Sequence, residues 1–334
     1  MRVLRGLGAL AHGDFQRGCV ATVGVFDGVH LGHLTVLKHV VARAKDLDAT
    51  PTMVTFSGHP KNVLLGHAPA KLTSLEHRLR LFKRYGIETT LVLEFNEAIR
   101  AMSAVDFVRT VLLDGLGLRE LVFGFDSKFG HDRQGTPSAL APIAAKWGFT
   151  IDEVEPVRLA GRAVSSTAIR EAVQLGDLDA ARAMLSRPFS VLGTVVHGDK
   201  RGRDLGFPTA NLDPHHEILP PRGVYAAATV IEGQLVPAVL NLGRRPTFDG
   251  SDLLIETHIL DWQGDLYDRN LEVFFLQHLR GELKFDDAEA LKGQIAKDVG
   301  NAKKIWREAG LDSPAAVFFP PYIRADSSVG RATD

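Results

Sequence analysis

The chain has 334 residues, 39 Lys and Arg against 40 Asp and Glu, and 45% hydrophobic residues. Its net charge of -1 excludes recruitment of nucleic acid or an anionic membrane by the bulk field, so any basic site has to be local. One cysteine, Cys19, excludes an internal disulfide and a cysteine-rich zinc centre. No run approaches a membrane span, and the uncharged stretch Gly6 to Ala11 is too short for a signal-peptide core, so a cytoplasmic protein is expected.

Residues 1–160 alternate between two patterns. β-rich runs at 19–25, 52–56, 89–95, 120–125 and 149–154 predict strands, and the spacing of apolar residues predicts helices near 33–45, 73–85, 103–114 and 137–147. Boundary signals support these: Ser74 with Gly86, Ser103 with Asp106 three residues on, and Thr136-Pro137. Alternation of this kind predicts a parallel sheet covered on both faces, with ligands gathered at the carboxyl ends of its strands. Cys19 lies in the first run and reads as buried filler.

At the first strand end stands Gly24-Val25-Phe26-Asp27-Gly28-Val29-His30-Leu31-Gly32-His33. A strand-to-helix turn offers unpaired N–H groups and the positive end of a helix dipole, and Gly28 and Gly32 allow close approach to the main chain. His30 and His33, three apart, can point the same way. Two histidines alone would more often be surface residues of a structural turn. Together with the glycines and Asp27 they suit a phosphate chain and nucleotidyl transfer, which needs positioning and charge neutralisation more than a protein nucleophile. The helix N-terminus disfavours an imidazolium by about 0.3–1 kcal/mol, and a bound triphosphate favours it by roughly 1.5–3 kcal/mol per charge-assisted hydrogen bond. At least one of the two histidines should therefore become more basic when ATP binds.

Further strand ends carry Phe56-Ser57-Gly58-His59-Pro60 and Phe123-Gly124-Phe125-Asp126. The loop from Asp126 through Phe129-Gly130 to Gly135 reads either as a seat for an aromatic ligand or as a long surface loop. Residues 165–187 predict two helices. Ser165-Ser166-Thr167 caps the first, with Arg170 one turn inside, which is an ordinary cap by itself and a second phosphate clamp beside the histidine turn. Arg187-Pro188 stops the second helix, and the domain boundary is expected there, giving 1–187 and 188–324 with a disordered tail over 325–334.

Beyond Pro188 the period changes to two. Runs at 190–197, 223–232, 235–242, 252–261 and 271–279 predict an antiparallel sandwich or small barrel, with Glu232-Gly233 as a hairpin turn and a helix at 286–308. Gly198, Lys200, Gly202, Arg203 and Gly206 belong to a flexible basic loop suited to phosphates, or to a solvated hairpin. Thr209 and Asn211 alternate, so they share one side of an extended segment, where a hydroxyl and an amide oxygen suit Mg²⁺. Glu256 lies in an apolar run and reads as a salt-bridged strand residue or as a base. His215-His216-Glu217 reads as a surface turn, and Trp262, Phe274 and Phe275 as core.

The motifs GVFDGVHLGH, SSTAIR, GRDLGFPTAN, GVY, RPTF and IETHILDW followed by DLY occur in one order between about residues 18 and 308. In this the chain resembles the bacterial bifunctional riboflavin kinase/FMN adenylyltransferase family. The resemblance implies an α/β Rossmann-like nucleotidylyltransferase domain followed by a small antiparallel β-barrel riboflavin kinase domain with a C-terminal helix. It implies conversion of riboflavin to FMN and of FMN to FAD, each with ATP and Mg²⁺. Carried over by position, it implies ATP contacts at Gly24, Phe26, Asp27, Gly28, His30, His33, Ser166, Thr167 and Arg170. In the second domain it implies phosphate contacts at Gly198, Lys200, Gly202, Arg203 and Gly206, Mg-ATP at Thr209 and Asn211, and Glu256 as base. Flavin contacts are implied at Asn62, Asp126 and Phe129.

Two departures fall in the adenylyltransferase half. Ser57-Gly58 stands where the family usually has Asp-Pro, and Ser127-Lys128 where Phe-Arg is common, so a cation is kept without its bidentate fork. The competing readings are a riboflavin kinase with an impaired first domain and a flavin-binding regulator without turnover. Neither nucleic acid nor membrane is an expected partner, and a homo-oligomer is left open.

Overall fold

The computed structural model describes residues 1–309 and 317, apart from 13–14, 59–67, 126, 199–200, 216–217 and 248–249. Asn62, Asp126, Lys200, His216, Glu217 and the tail at 325–334 lie outside the described residues. The chain divides into two units, Met1–Ala70 with Leu75–Ser165, and Lys71–Ser74 with Ser166–Asp334.

In the first unit, the runs Cys19–Val23, Thr50–Phe56 and Thr89–Leu93 are uncharged and form strands buried on both faces, as the centre of a parallel sheet requires. The strands are β1 (Arg2–Arg5), β2 (Cys19–Val23), β3 (Thr50–Phe56), β4 (Thr89–Leu93), β5 (Leu118–Gly124) and β6 (Thr150–Val154), in the order β1-β4-β3-β2-β5-β6. All five pairings are parallel. Cys19 is 2% exposed, and burial pushes its thiol up to about 12, so it is inert packing. β1 is not predicted from the sequence because only Leu4 of its four residues points inward.

The helices Leu31–Asp46, Leu75–Arg84 and Pro137–Trp147 match the predicted segments. The caps also hold: the Ser103 hydroxyl accepts from the Asp106 N–H at 3.0 Å and Thr136 from Ala139 at 3.2 Å. The predicted helix at 103–114 contains a π-helical stretch, Val108–Leu113. An ion-pair network fixes the helix Leu31–Asp46 to the sheet. Arg43 meets the buried Glu120 of β5 through two bonds of 2.8 and 2.7 Å, and His39 Nε2 lies 2.6 Å from Asp152 of β6. His39, Glu120 and Asp152 lie close enough to share a metal ion, but the Arg43 fork already occupies Glu120.

In the second unit, two short helices, Ser166–Leu175 and Leu178–Leu185, precede the barrel. β7 (Arg158–Leu159) and β8 (Arg162–Ala163) form a small hairpin in the first unit. The barrel strands are β9 (Ser190–Val196), β10 (Ala210–Pro214), β11 (Gly223–Ile231), β12 (Gln234–Thr247), β13 (Gly250–Ile259) and β14 (Asn270–Arg280). They close in the order β10-β13-β12-β11-β14-β9, antiparallel throughout. Glu232 and Gly233 at φ 51° and 79° make the expected hairpin turn. Phe274 and Phe275 are core, as read from the sequence.

The helix Ala288–Glu308 packs on β11, β12 and β14. Its Asp298, nearly buried, receives Arg280 of β14 at 3.0 and 2.8 Å and the Gln294 amide at 2.9 Å. Among the described residues no helix is long and apolar enough to cross a membrane. Replacing Arg280 with Met leaves a buried carboxylate short of its main partner. This should cost about 3 kcal/mol, seen as a lower urea midpoint for the barrel unit.

Candidate active sites

The first candidate site grows from the sheet topology. β2 lies between β3 and β5, so the connections on its two sides diverge at its carboxyl end, the switch point at which ligands of such sheets bind. The turn Gly24–His33 sits at that end. Its backbone is strained: Phe26 has φ 52° and Val29 φ 41°, unusual for an aromatic and a β-branched residue. Gly24 has no room for a side chain, since a Cβ there would lie 2.8 Å from the Phe26 ring. His30 caps the helix Leu31–Asp46, its Nδ1 accepting from the His33 N–H at 3.4 Å.

Three rings stack in this turn. Phe26 lies 4.4 Å from His33, and His33 lies 3.6 Å from His30, with near-parallel planes. The two histidines do point together, as their spacing predicts. His33 Nδ1 is shut off from solvent and has no hydrogen-bond partner among the described residues. Burial, then the neighbouring His30 and Arg78, hold the His33 pKa well below 6.5, so the ring is neutral at pH 7. Asp27 and His30 are buried beside it.

Arg78 underlies the turn and was not singled out from the sequence. It is 2% exposed and donates to the carbonyl of Phe56 at 3.0 Å, to Thr55 Oγ1 at 3.1 Å and to the carbonyl of Val25. Burial lowers its pKa, and Asp27 opposes this. The signal was present, because Arg78 interrupts the apolar face made by Leu75, Leu79 and Phe82. Ser166, Thr167 and Arg170 open the helix Ser166–Leu175 in the second unit. Phe129 packs against Phe107 and Phe123 at 5.4 and 5.7 Å, so its ring is part of the first unit's packing.

The second candidate site is a barrel wall. Pairing sets Asn211 of β10 opposite Glu256 of β13, and Glu256 opposite Asn241 of β12. Alternate residues of a strand share a face. Leu212, Ile255, Thr257, Leu240 and Leu242 are buried toward the barrel interior, so Asn211, Glu256 and Asn241 form one row on the outer face. The Asn241 amide donates to Glu256 Oε2 at 3.2 Å. Asn241 was also missed, although a lone amide between Leu240 and Leu242 raises the same question as Glu256.

This outer face lines a cavity of about 440 Å³ that also takes in Thr209, His258, Arg280 and Asp298, with Val224, Leu254, Phe285 and Leu291 as its apolar wall. A second cavity of about 320 Å³ opens at the barrel mouth between Val195, Thr257, Ile259, Trp262 and Tyr267, with Arg203 at its edge. Thr209 borders both. Trp262, expected in the core, is half-buried on this second wall, because the barrel ends at Ile259 and the chain after it turns across the mouth.

The glycine loop is built onto the same residues. A Cβ on Gly198 would collide with the Asn211 amide, and one on Gly202 with the Phe207 carbonyl and, at 3.3 Å, with Thr209 Oγ1. Gly206 stands at φ 86°. The loop backbone thus lies directly against Thr209 and Asn211. A hydroxyl, an amide oxygen and a nearby carboxylate are hard donors that fit Mg²⁺ with phosphates.

Comparison with known proteins agrees with both halves. Residues 13–168 match the FAD synthetase family model and residues 185–306 the riboflavin kinase model. A bifunctional riboflavin kinase/FMN adenylyltransferase of Pseudomonas fluorescens is 41% identical over 307 residues, covering 91% of this chain and 98% of that one. The enzyme of the same description from Escherichia coli K12 is 35% identical over 317 residues, covering 94% and 100%. This chain belongs to the bifunctional riboflavin kinase/FMN adenylyltransferase family. A crystal structure described as a macrolide-efflux protein from Streptococcus pneumoniae shares the fold, with TM-score 0.77 and 29% identity over 91% of this chain and 99% of that one.

The lowered His33 pKa has two consequences. Because the folded state refuses a proton that the unfolded chain accepts, stability contributed by His33 is present above about pH 6.5 and is lost as pH falls below it. A His33→Gln chain should lose part of that slope in a pH series of urea midpoints. In imidazole NMR titrations, adding a non-hydrolysable ATP analogue should raise the pKa of His33 or His30. Unchanged values would remove both from phosphate binding.

Proposed function

We propose that this chain makes FMN from riboflavin and ATP in the barrel, and FAD from FMN and a second ATP at the first unit's histidine turn. The observation that carries the reading is the single wall holding Thr209, Asn211, Glu256 and Asn241.

In the barrel, the acceptor lies in the larger cavity, whose apolar wall suits a tricyclic flavin and whose polar wall presents Glu256. Glu256 takes the proton of the riboflavin 5′-hydroxyl as its oxygen attacks the γ-phosphorus of ATP, and ADP leaves. Asn241 holds the carboxylate in place by its hydrogen bond. The nucleotide lies in the mouth cavity with Trp262 and Tyr267 beside the base and Arg203 at the phosphates. Thr209 and Asn211 would hold Mg²⁺, which neutralises phosphate charge when bound. Gly198, Lys200, Gly202 and Gly206 supply loop backbone and charge to the same phosphates.

In the first unit, a phosphate oxygen of FMN attacks the α-phosphorus of ATP, and pyrophosphate leaves. Gly24, Phe26, Asp27 and Gly28 shape the turn, and His30 and His33 donate to the triphosphate once protonated. Ser166, Thr167 and Arg170 are assigned to ATP phosphates on the sequence motif alone. Asn62, Asp126 and Phe129 are assigned to the flavin on the resemblance, with Phe129 acting through the packing it shares with Phe107 and Phe123.

Incubation with riboflavin, ATP and Mg²⁺, followed by chromatography of the flavins, tests the reading. FAD is expected, FMN alone would overturn the first-unit assignment, and unchanged riboflavin would overturn the barrel assignment. Glu256→Gln should abolish FMN formation yet leave FAD formation from supplied FMN. His33→Ala should do the reverse, slowing adenylyl transfer by about 10²–10³. Gly198→Ala, which drives a methyl group into the Asn211 amide, should raise the KM for Mg-ATP in the kinase reaction and spare the other one.

A further inference from the structure

On β13 the outward-facing residue next to Glu256 is His258, which borders the same cavity. The β10–β13 ladder pairs Leu212 with Ile255, Asn211 with Glu256 and Ala210 with Thr257, and there it stops. Two steps further would place Thr209 opposite His258 and then Pro208 opposite Ile259. Proline has no N–H with which to continue the ladder. The Pro208 carbonyl is met instead by His258, with Nδ1 at 2.8 Å. A carbonyl only accepts, so Nδ1 carries the proton.

The contact reaches further than one bond. The His258 ring stands edge-on to Phe207 with centroids 5.5 Å apart. The Phe207 N–H donates to the Gly202 carbonyl at 2.7 Å, and Gly202 lies against Thr209. Where backbone pairing fails, one side chain of the base-bearing strand holds the segment that carries Thr209 and closes the glycine loop.

We infer that His258 is a positioning residue for phosphoryl transfer. Its Nδ1–H fixes the segment Phe207-Pro208-Thr209 against β13 and so sets Thr209, at the border of the two cavities, relative to Glu256. The inference rests on the reading of the barrel as an ATP-dependent riboflavin kinase.

Steady-state kinetics of both reactions on the intact chain test it. His258→Ala should raise the KM for Mg-ATP in riboflavin phosphorylation roughly ten- to a hundred-fold, a larger change than in the KM for riboflavin, whose cavity His258 also borders. His258→Asn places an amide N–H where Nδ1 stood and should recover most of the loss. His258→Gln, whose amide reaches toward the Nε2 position, should not. FAD formation from supplied FMN should be unchanged in all three, because that reaction is assigned to the first unit, and recovery in His258→Asn separates lost positioning from a misfolded barrel. An unaltered KM for Mg-ATP in His258→Ala, or equal damage in His258→Asn and His258→Ala, would overturn the inference. Failure of the underlying reading looks different: the unsubstituted chain would then make no FMN from riboflavin.

Discussion

The register of three neighbouring strands is the constraint on which the barrel chemistry depends. Asn211, Glu256 and Asn241 come from segments far apart in sequence, and each is brought to the others by strand pairing alone. A slip of one residue in β13 would turn Glu256 toward the barrel interior and bring Ile255 or Thr257 to the outer face. Closure of the sheet makes such a slip costly, because every strand is held on both sides. A closed ring therefore does for this site what a rigid loop could not: it fixes a carboxylate opposite an amide with no flexible element between them.

The first unit solves a related problem by other means. Its sheet is open and parallel, and the useful groups lie on a strained turn, not on a strand. Phe26 and Val29 adopt left-handed backbone conformations that cost about 1–3 kcal/mol each. The stack of Phe26, His33 and His30, the cap that His30 makes on its helix, and Arg78 beneath hold the turn against that cost. The result is a neutral histidine whose buried Nδ1 has no hydrogen-bond partner among the described residues.

Much of this was legible in the sequence, for identifiable reasons. The strands β2, β3 and β4 were visible because parallel strands buried on both faces are continuous apolar runs, and the caps at Ser103 and Thr136 because their spacing is local. β1 was not, since Arg2 and Arg5 flank one inward residue, and β10 was read only as a short extended segment at Thr209 and Asn211, since Asp213 and Pro214 give no period that stands out from loop. Glu256 could be singled out as a carboxylate in an apolar run, and the structure supplies what a linear reading lacks, its partner Asn241. Arg78 shows the same limit: its place on an apolar helix face was readable, but the three acceptors it serves were not. Trp262 was misread as core because aromatic residues after an apolar strand usually are.

The two barrel cavities lie on opposite faces of one pleated wall and meet at Thr209, where β10 gives out. With nucleotide and flavin placed as proposed, neither would have to pass through the other's chamber, so the order in which donor and acceptor arrive would be free. Only the migrating phosphoryl group would cross from one chamber to the other, which would give bulk water little opening to compete as acceptor.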